Sequence, residues 1–452
     1  MSPTQLNGGI PTGWLLHHMS KSTTRPSAKD HRLSFGYNQR AADPSKGTAI
    51  GKRQLPDVDK NHPDGCARSM WGPGIAFTLT SLVRLMVHGM ALISRRTALG
   101  AGLSLAAVGA VGYGLWPRMG GYRDEVDRQR QLLSDNPTIK KLVRLAILAA
   151  NAYNTQPWKF RLEDQKAGIL PDFTRQTAVV DPDGHHIFVS LGCATENLVI
   201  AGKALGRVSE VAIGAGKKPQ IEISWSPAPP VWQAPYQAIP LRQSTRSIYN
   251  GQSISSAEKG MLAAAAQEAD VSVLFFTEPA DREAIPEFMI QGNSAQMDDP
   301  AFVQELADWI RFSPASAIET GDGLFAACSG NPVLPDWIGP TLFGVVFRKA
   351  AENDKYRDQI RSSAGIAVFV GDRADPEHWI RVGRSLQRFA LQATALGIRN
   401  AHVNQPIEVP SVRPEFARWL GMPDLRPDLV IRFGRAPAMP MPLRRPVSAV
   451  LT

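Results

Sequence analysis

The sequence predicts an α+β protein whose body is one plan built twice. Three observations predict it. Gly192–Gly206 and Gly383–Gly397 are equally long runs of mostly small and apolar residues, and both end in Ala-Leu-Gly. Each follows a strand-like apolar run, Ile187–Val189 in one case and Ala364–Val370 in the other. A proline-rich stretch, 226–240, lies between the two blocks and reads as a linker. Segments so apolar around their circumference are buried helices, with the final glycine as the stop signal. Two of them in matching surroundings indicate a degenerate internal duplication.

In chain order, residues 1–89 mix Pro, Gly, Ser, His and basic residues without sustained periodicity. They read as disordered, or as an extension foreign to the natural product. Residues 90–118 carry Arg95-Arg96 ahead of an uncharged Gly/Ala-rich run, which resembles a twin-arginine export signal. The expected location is periplasmic, or membrane-anchored and facing outward if the segment is not cleaved. The formal charge of +9 resides in this leader: residues 1–122 hold 14 basic and 5 acidic side chains, and the remainder holds 36 of each. The body therefore has no net field to attract a polyanion, which argues against nucleic acid as a partner. Cys193 and Cys328 are too few for a disulfide framework, and no clustered Cys/His spacing suggests a metal.

The body opens with a charged helix, Arg123–Ser134. A second helix should follow, capped by Asp135 or Asn136 with Pro137 at its first position, and carrying Ile139, Leu142, Val143, Ala146 and Ile147 at helical spacing. Pro157 forces the chain out of helical geometry near Gln156. That exit, Asn154-Thr155-Gln156-Pro157-Trp158, presents two carboxamides and leads into a strand, Trp158–Leu162. Carboxamides offer donors and acceptors, suited to the edge of a flat heterocycle; they equally satisfy free carbonyls at a helix end. Ala178–Asp181 and Ile187–Val189 read as short strands about a turn holding His185 and His186, which receive no role. Ala212–Ile213 and Gln220–Trp225 complete the strands of the first half.

In the second half, Arg242-Gln243-Ser244-Thr245-Arg246 places two guanidiniums and a hydroxyl within five residues, either a phosphate cradle or a solvated basic loop. Residues 297–350 form a long Pro-, Gly- and aromatic-containing excursion, either a lid or a structural cap. Asn404-Gln405-Pro406-Ile407-Glu408 follows the repeated helix, and Arg444-Arg445 closes the chain's basic-proline element.

Asn154–Trp158 resembles the N-x-Q-P-W signature of the nitroreductase superfamily of FMN-dependent oxidoreductases. Arg242–Arg246 and the Arg444-Arg445 element resemble two more of its motifs, so the likeness spans roughly 123–452. It implies a nitroreductase-like fold in two halves, 123–235 and 236–452, with 297–350 as a lid over the flavin. Ordinary members are homodimers that build each flavin site from both subunits. Here the first half carries N-x-Q-P-W without R-x-S-x-R, and the second half the reverse. The resemblance therefore implies an intramolecular pseudo-dimer with a single site, and a monomer in solution. The implied FMN ligands are Asn154, Gln156, Pro157, Arg242, Gln243, Ser244, Arg246, Pro406, Glu408, Arg444 and Arg445. The implied activity is electron transfer from an unidentified donor to a small electron-poor acceptor, with no protein acid or base assigned; the alternative is a non-catalytic protein that binds or sequesters FMN.

Overall fold

A computed structural model describes residues 118–133 and 137–452. The export segment and the helix-capping residues Asp135 and Asn136 lie outside these residues. Two four-stranded sheets form, the first from strands of alternating burial and the second around two strands buried along their whole length. The first comprises β1 (Trp158–Glu163), β2 (Lys166–Pro171), β3 (Arg207–Ile213) and β4 (Ile221–Pro227) in the order β1-β2-β4-β3. β5 (Val271–Phe276) opens the second half, and the two-residue strands β6 (Ile310–Arg311) and β7 (Leu324–Phe325) pair only with each other. The second sheet joins β5 to β8 (Gly365–Gly371), β10 (Pro427–Gly434) and β9 (Arg399–His402), in the order β5-β8-β10-β9. Every ladder within the two large sheets is antiparallel. Taking β1 with β5, β2 with β8, β3 with β9 and β4 with β10, the two sheets have one topology.

In each half the helix between the second and third of these strands is central: His185–Ala204 and Pro376–Ala395, 20 residues apiece. The sequence offset that lays Gly192 on Gly383 also lays His185 on Pro376, Ala204 on Ala395 and Gly206 on Gly397. Gly206 and Gly397 both adopt positive φ, +82° and +69°, as a terminating glycine should. The helices cross where these glycines permit contact. A Cβ on Gly192 would stand 2.0 Å from the carbonyl oxygen of Ile380, and one on Gly383 2.0 Å from that of Val189. Val189 and Ile380 are themselves matched by the same offset, so the contact is reciprocal, as at a two-fold interface. Asn197 and Gln387 hydrogen-bond beside the crossing, at 2.7 Å.

Several expectations are corrected. The first central helix begins two turns before Gly192, at His185, so Ile187–Val189 is helical rather than a strand, and 178–181 is a turn. An apolar run of three with β-branched and aromatic residues cannot be told from a strand by period alone. The charged helix spans Gly120–Gln129 rather than Arg123–Ser134, and the next one Ile139–Ala146, so it starts two residues after Pro137. The linker contains a short helix, Ala234–Ala238. The excursion begins earlier than 297, with the helix Pro279–Asp298, and continues through further helices to Arg361.

Candidate functional site

Four arginines converge where the halves meet. Residues 146–150 end the helix Ile139–Ala146, leaving carbonyls free at its C-terminus. Arg444 donates to Ile147 O at 2.7 Å and, through Nη2, to Leu148 O and Ala149 O; Arg242 donates to Leu148 O at 3.0 Å. Arg130, from the charged segment, donates to Pro240 O and more weakly to Arg242 O. Arg246 lines the same cavity as Arg242, Ser244, Asn151, Asn154, Cys328 and Arg444.

Among the described residues none of these four arginines has a carboxylate partner. Arg130, Arg242 and Arg444 are nonetheless 8%, 3% and 3% exposed. Burial lowers the pKa of Arg130 and of Arg242 to about 10, and mutual repulsion with Arg242 adds to the effect on Arg130. Arg444 is displaced in the same direction, by burial first and then by Arg130 and Arg242. The Nε atoms of Arg130 and Arg242 have no hydrogen-bond acceptor. Buried cations clustered without anions are costly, so the geometry fits an anion. The cavity of about 50 Å³ admits a phosphate-sized group.

The carboxamides serve differently from the expectation. Asn154 donates to Gly323 O and Leu443 O, both at 3.1 Å, and accepts from Arg444 at 2.8 Å. Gln156 donates to Gly321 O at 2.8 Å and accepts from the Arg445 amide at 2.9 Å. Both side chains thus tie the lid and the C-terminal segment to the first half, and neither leaves an edge for a heterocycle in this conformation. Tyr153, Asn154 and Gln156 all lie at positive φ, +46°, +56° and +55°. Three non-glycine residues so placed within four positions mark a strained loop of the kind found at functional sites. Pro157 is buried at the turn into β1.

Gln243 is likewise a brace: it donates to Met439 O at 2.9 Å and accepts from the Met439 amide at 2.7 Å. Arg445 donates to Ala449 O at 2.8 Å, and its Nη1 is unpartnered. Pro406 is buried, while the Glu408 carboxylate turns to His186 (3.2 Å) and Gln296 (2.7 Å). The excursion is fixed to the first half through Asp322, which receives bonds from Arg175 and from Arg311, and its Leu324, Phe325, Cys328 and Ser329 line the arginine cavity.

Arg130, Tyr153, Cys328 and His402 belong to this region without a sequence signal. Burial, then Arg246 and Arg242, push the His402 imidazole down to about 3. Tyr153 and Tyr356 are raised chiefly by burial and also feel the charges of Arg246 and Glu408, which puts these groups around one space.

Comparison with known proteins shows what this fold and sequence are similar to. No family model matches. The chain is 23% identical over 333 residues to a Mycobacterium tuberculosis protein provisionally named an NAD(P)H nitroreductase, covering 70% of this chain and 92% of that one. A second protein of that organism with the same provisional name, acg, is 23% identical over 322 residues, covering 69% and 94%. Among solved structures, the FMN-dependent nitroreductase NfnB of Mycobacterium smegmatis is 15% identical, with TM-score 0.34, covering 48% of this chain and 96% of its own. The body of the chain is similar to the nitroreductase superfamily along nearly the whole length of its curated relatives.

Proposed function

We propose that the body binds one FMN per chain and works as an NAD(P)H-dependent oxidoreductase on a small electron-poor acceptor. The observation that carries this reading is the cluster Arg130, Arg242, Arg246 and Arg444, which lacks any carboxylate. Bound FMN would supply hydride and electron transfer at its ring. Arg242, Arg246 and the Ser244 hydroxyl would hold its phosphate, with Arg130 and Arg444 adding charge from behind. Asn154 and Gln156 hold Arg444 and the Arg445 backbone in place, and the Asp322 clamp closes the lid against water. The names of the relatives support NAD(P)H as donor. The matched topology and reciprocal helix crossing support a fused pseudo-dimer that needs no second chain.

The closed lid and narrow cavity favour a second reading, a holder that retains FMN without turnover. Anaerobic mixing of the flavin-loaded chain with NADPH separates the two, since a catalyst bleaches the flavin band near 450 nm and a holder does not. The cradle itself is tested by Arg242→Ala with Arg246→Ala. Each lost bond to a charged group costs roughly 1.5–3 kcal/mol, so together they should weaken FMN binding by about two to four orders of magnitude. Full flavin occupancy in that folded variant would remove the assignment. Export through Arg95-Arg96 is proposed alongside, and is tested by retention of an Arg95→Lys, Arg96→Lys variant in the cytoplasm.

A further inference from the structure

A second cavity, about 270 Å³, is lined by none of the four clustered arginines. Its walls include Asp181, Asp183, His185, His186, Glu408, Arg413 and Arg426. A ring nitrogen of His185, one of His186 and a carboxylate oxygen of Asp181 lie within 4.8 Å of one another, and all three residues are buried. His185 is 1% exposed and His186 6%. The Nε2 atom of each histidine is held by a carboxylate from the other half of the chain: Asp428 at 3.0 Å for His185, and Glu408 at 3.2 Å for His186. Among the described residues neither Nδ1 has a hydrogen-bond partner. Metal-ligating histidines characteristically give one nitrogen to a carboxylate, which fixes the ring, and leave the other for the ion.

The charges around the cavity favour a cation. Arg426 is paired with Asp183, and Arg413 is spent on the carbonyls of Ile407 and Glu408. Asp181 and Glu408 remain to set against the charge of Arg413. The positive end of the central helix is offset by Asp181 and Asp183, whose carboxylates accept the amides of His186 and His185. Two imidazoles and one carboxylate facing an open cavity are the donor set of a three-ligand transition-metal site with a free position.

We propose that His185, His186 and Asp181 bind a divalent transition-metal ion of the zinc type, with Asp428 and Glu408 orienting the two imidazoles. The ion ties Asp181 to the start of the first central helix, and the two carboxylate–imidazole bonds tie that start to the second half.

The test uses the full chain, stripped with a chelator and titrated with Co²⁺ and then Zn²⁺. About one Co²⁺ per chain should bind, with the visible absorption of a low-coordinate histidine site, and Zn²⁺ should displace it. A spectrum identical to that of cobalt in buffer overturns the proposal without recourse to any variant. His185→Gln with His186→Gln should abolish retention of Zn²⁺ through desalting, while Glu408→Gln should weaken affinity about 10–100-fold. The Arg242→Ala, Arg246→Ala variant should keep its metal, which separates this site from the flavin reading. Undiminished Zn²⁺ retention by the folded double-histidine variant also overturns the site.

Discussion

β1 and β2 are joined by two residues, Asp164 and Gln165, whereas their counterparts β5 and β8 are separated by everything from 277 to 364. The same contrast recurs after the central helices. β3 and β4 are linked by 214–220, but between β9 and β10 come the helices Gln405–Glu408 and Arg413–Trp419. The first half is thus nearly bare scaffold, and the second carries the 277–364 excursion and the 403–426 loop at the matching connections, with Arg242–Arg246 ahead of β5. Strands and crossing helices must stay alike for the halves to pack, while connections on the surface are free to diverge. What the first half contributes to the site is Arg130, one strained turn, a helix end and Arg175 on Asp322.

The comparison is most easily broken at the crossing. Gly192→Val or Gly383→Val puts a side chain into backbone 2.0 Å away, which no rotamer relieves. Either should destabilise the chain at or above the top of the ~1–3 kcal/mol range for overpacking, and by similar amounts if the halves are equivalent there. Thermal melts check it, and a large asymmetry would show that the contacts are not equivalent. Next in size is Asn154→Ala, which strips an acceptor from buried Arg444 and a donor from two carbonyls. A loss of ~1–3 kcal/mol in stability is expected, with FMN affinity falling because Arg444 is no longer held.

The pH response sharpens the comparison, since His402 lies only in the second half. Its folded pKa, about 3, is below the usual 6.5, so folding disfavours its protonation. Its contribution is complete above pH 6.5 and is lost as pH falls from 6.5 towards 3. His402→Gln should flatten that part of the stability curve, and inorganic phosphate should raise the imidazole pKa as read by NMR. The smallest effect is expected from Arg175→Ala, which removes one of two partners of Asp322. Stability should change by ~1 kcal/mol or less, while flavin release, followed by fluorescence, should quicken.

The central helices were legible because small residues and Ala-Leu-Gly endings are local signals. The extra turns at His185 were not, because what buries them is Asp428 and Glu408, more than 200 residues away. The motif positions of Asn154 and Gln156 were legible and their use was not: a carboxamide looks the same whether it reads a ring or braces a backbone. Arg130 sits among other charged residues, and nothing local distinguishes the one that becomes buried. The strand Lys166–Pro171 was missed because its lysine, glycine and proline mask a short apolar centre.

The bonds from Arg444 to Asn154 and from the Arg445 amide to Gln156 join positions 290 and 289 residues apart. Closing so long a loop is entropically slow, and it gives no return until the intervening sheets are in place. The turn at 153–156 has to wait, with its backbone in an unfavoured conformation, for the segment that holds it. Anion affinity should therefore be the last property to appear during refolding, after secondary structure and after burial of the tryptophans. Flavin capture then reports completed folding, and a chain that has captured it has already passed its slowest step.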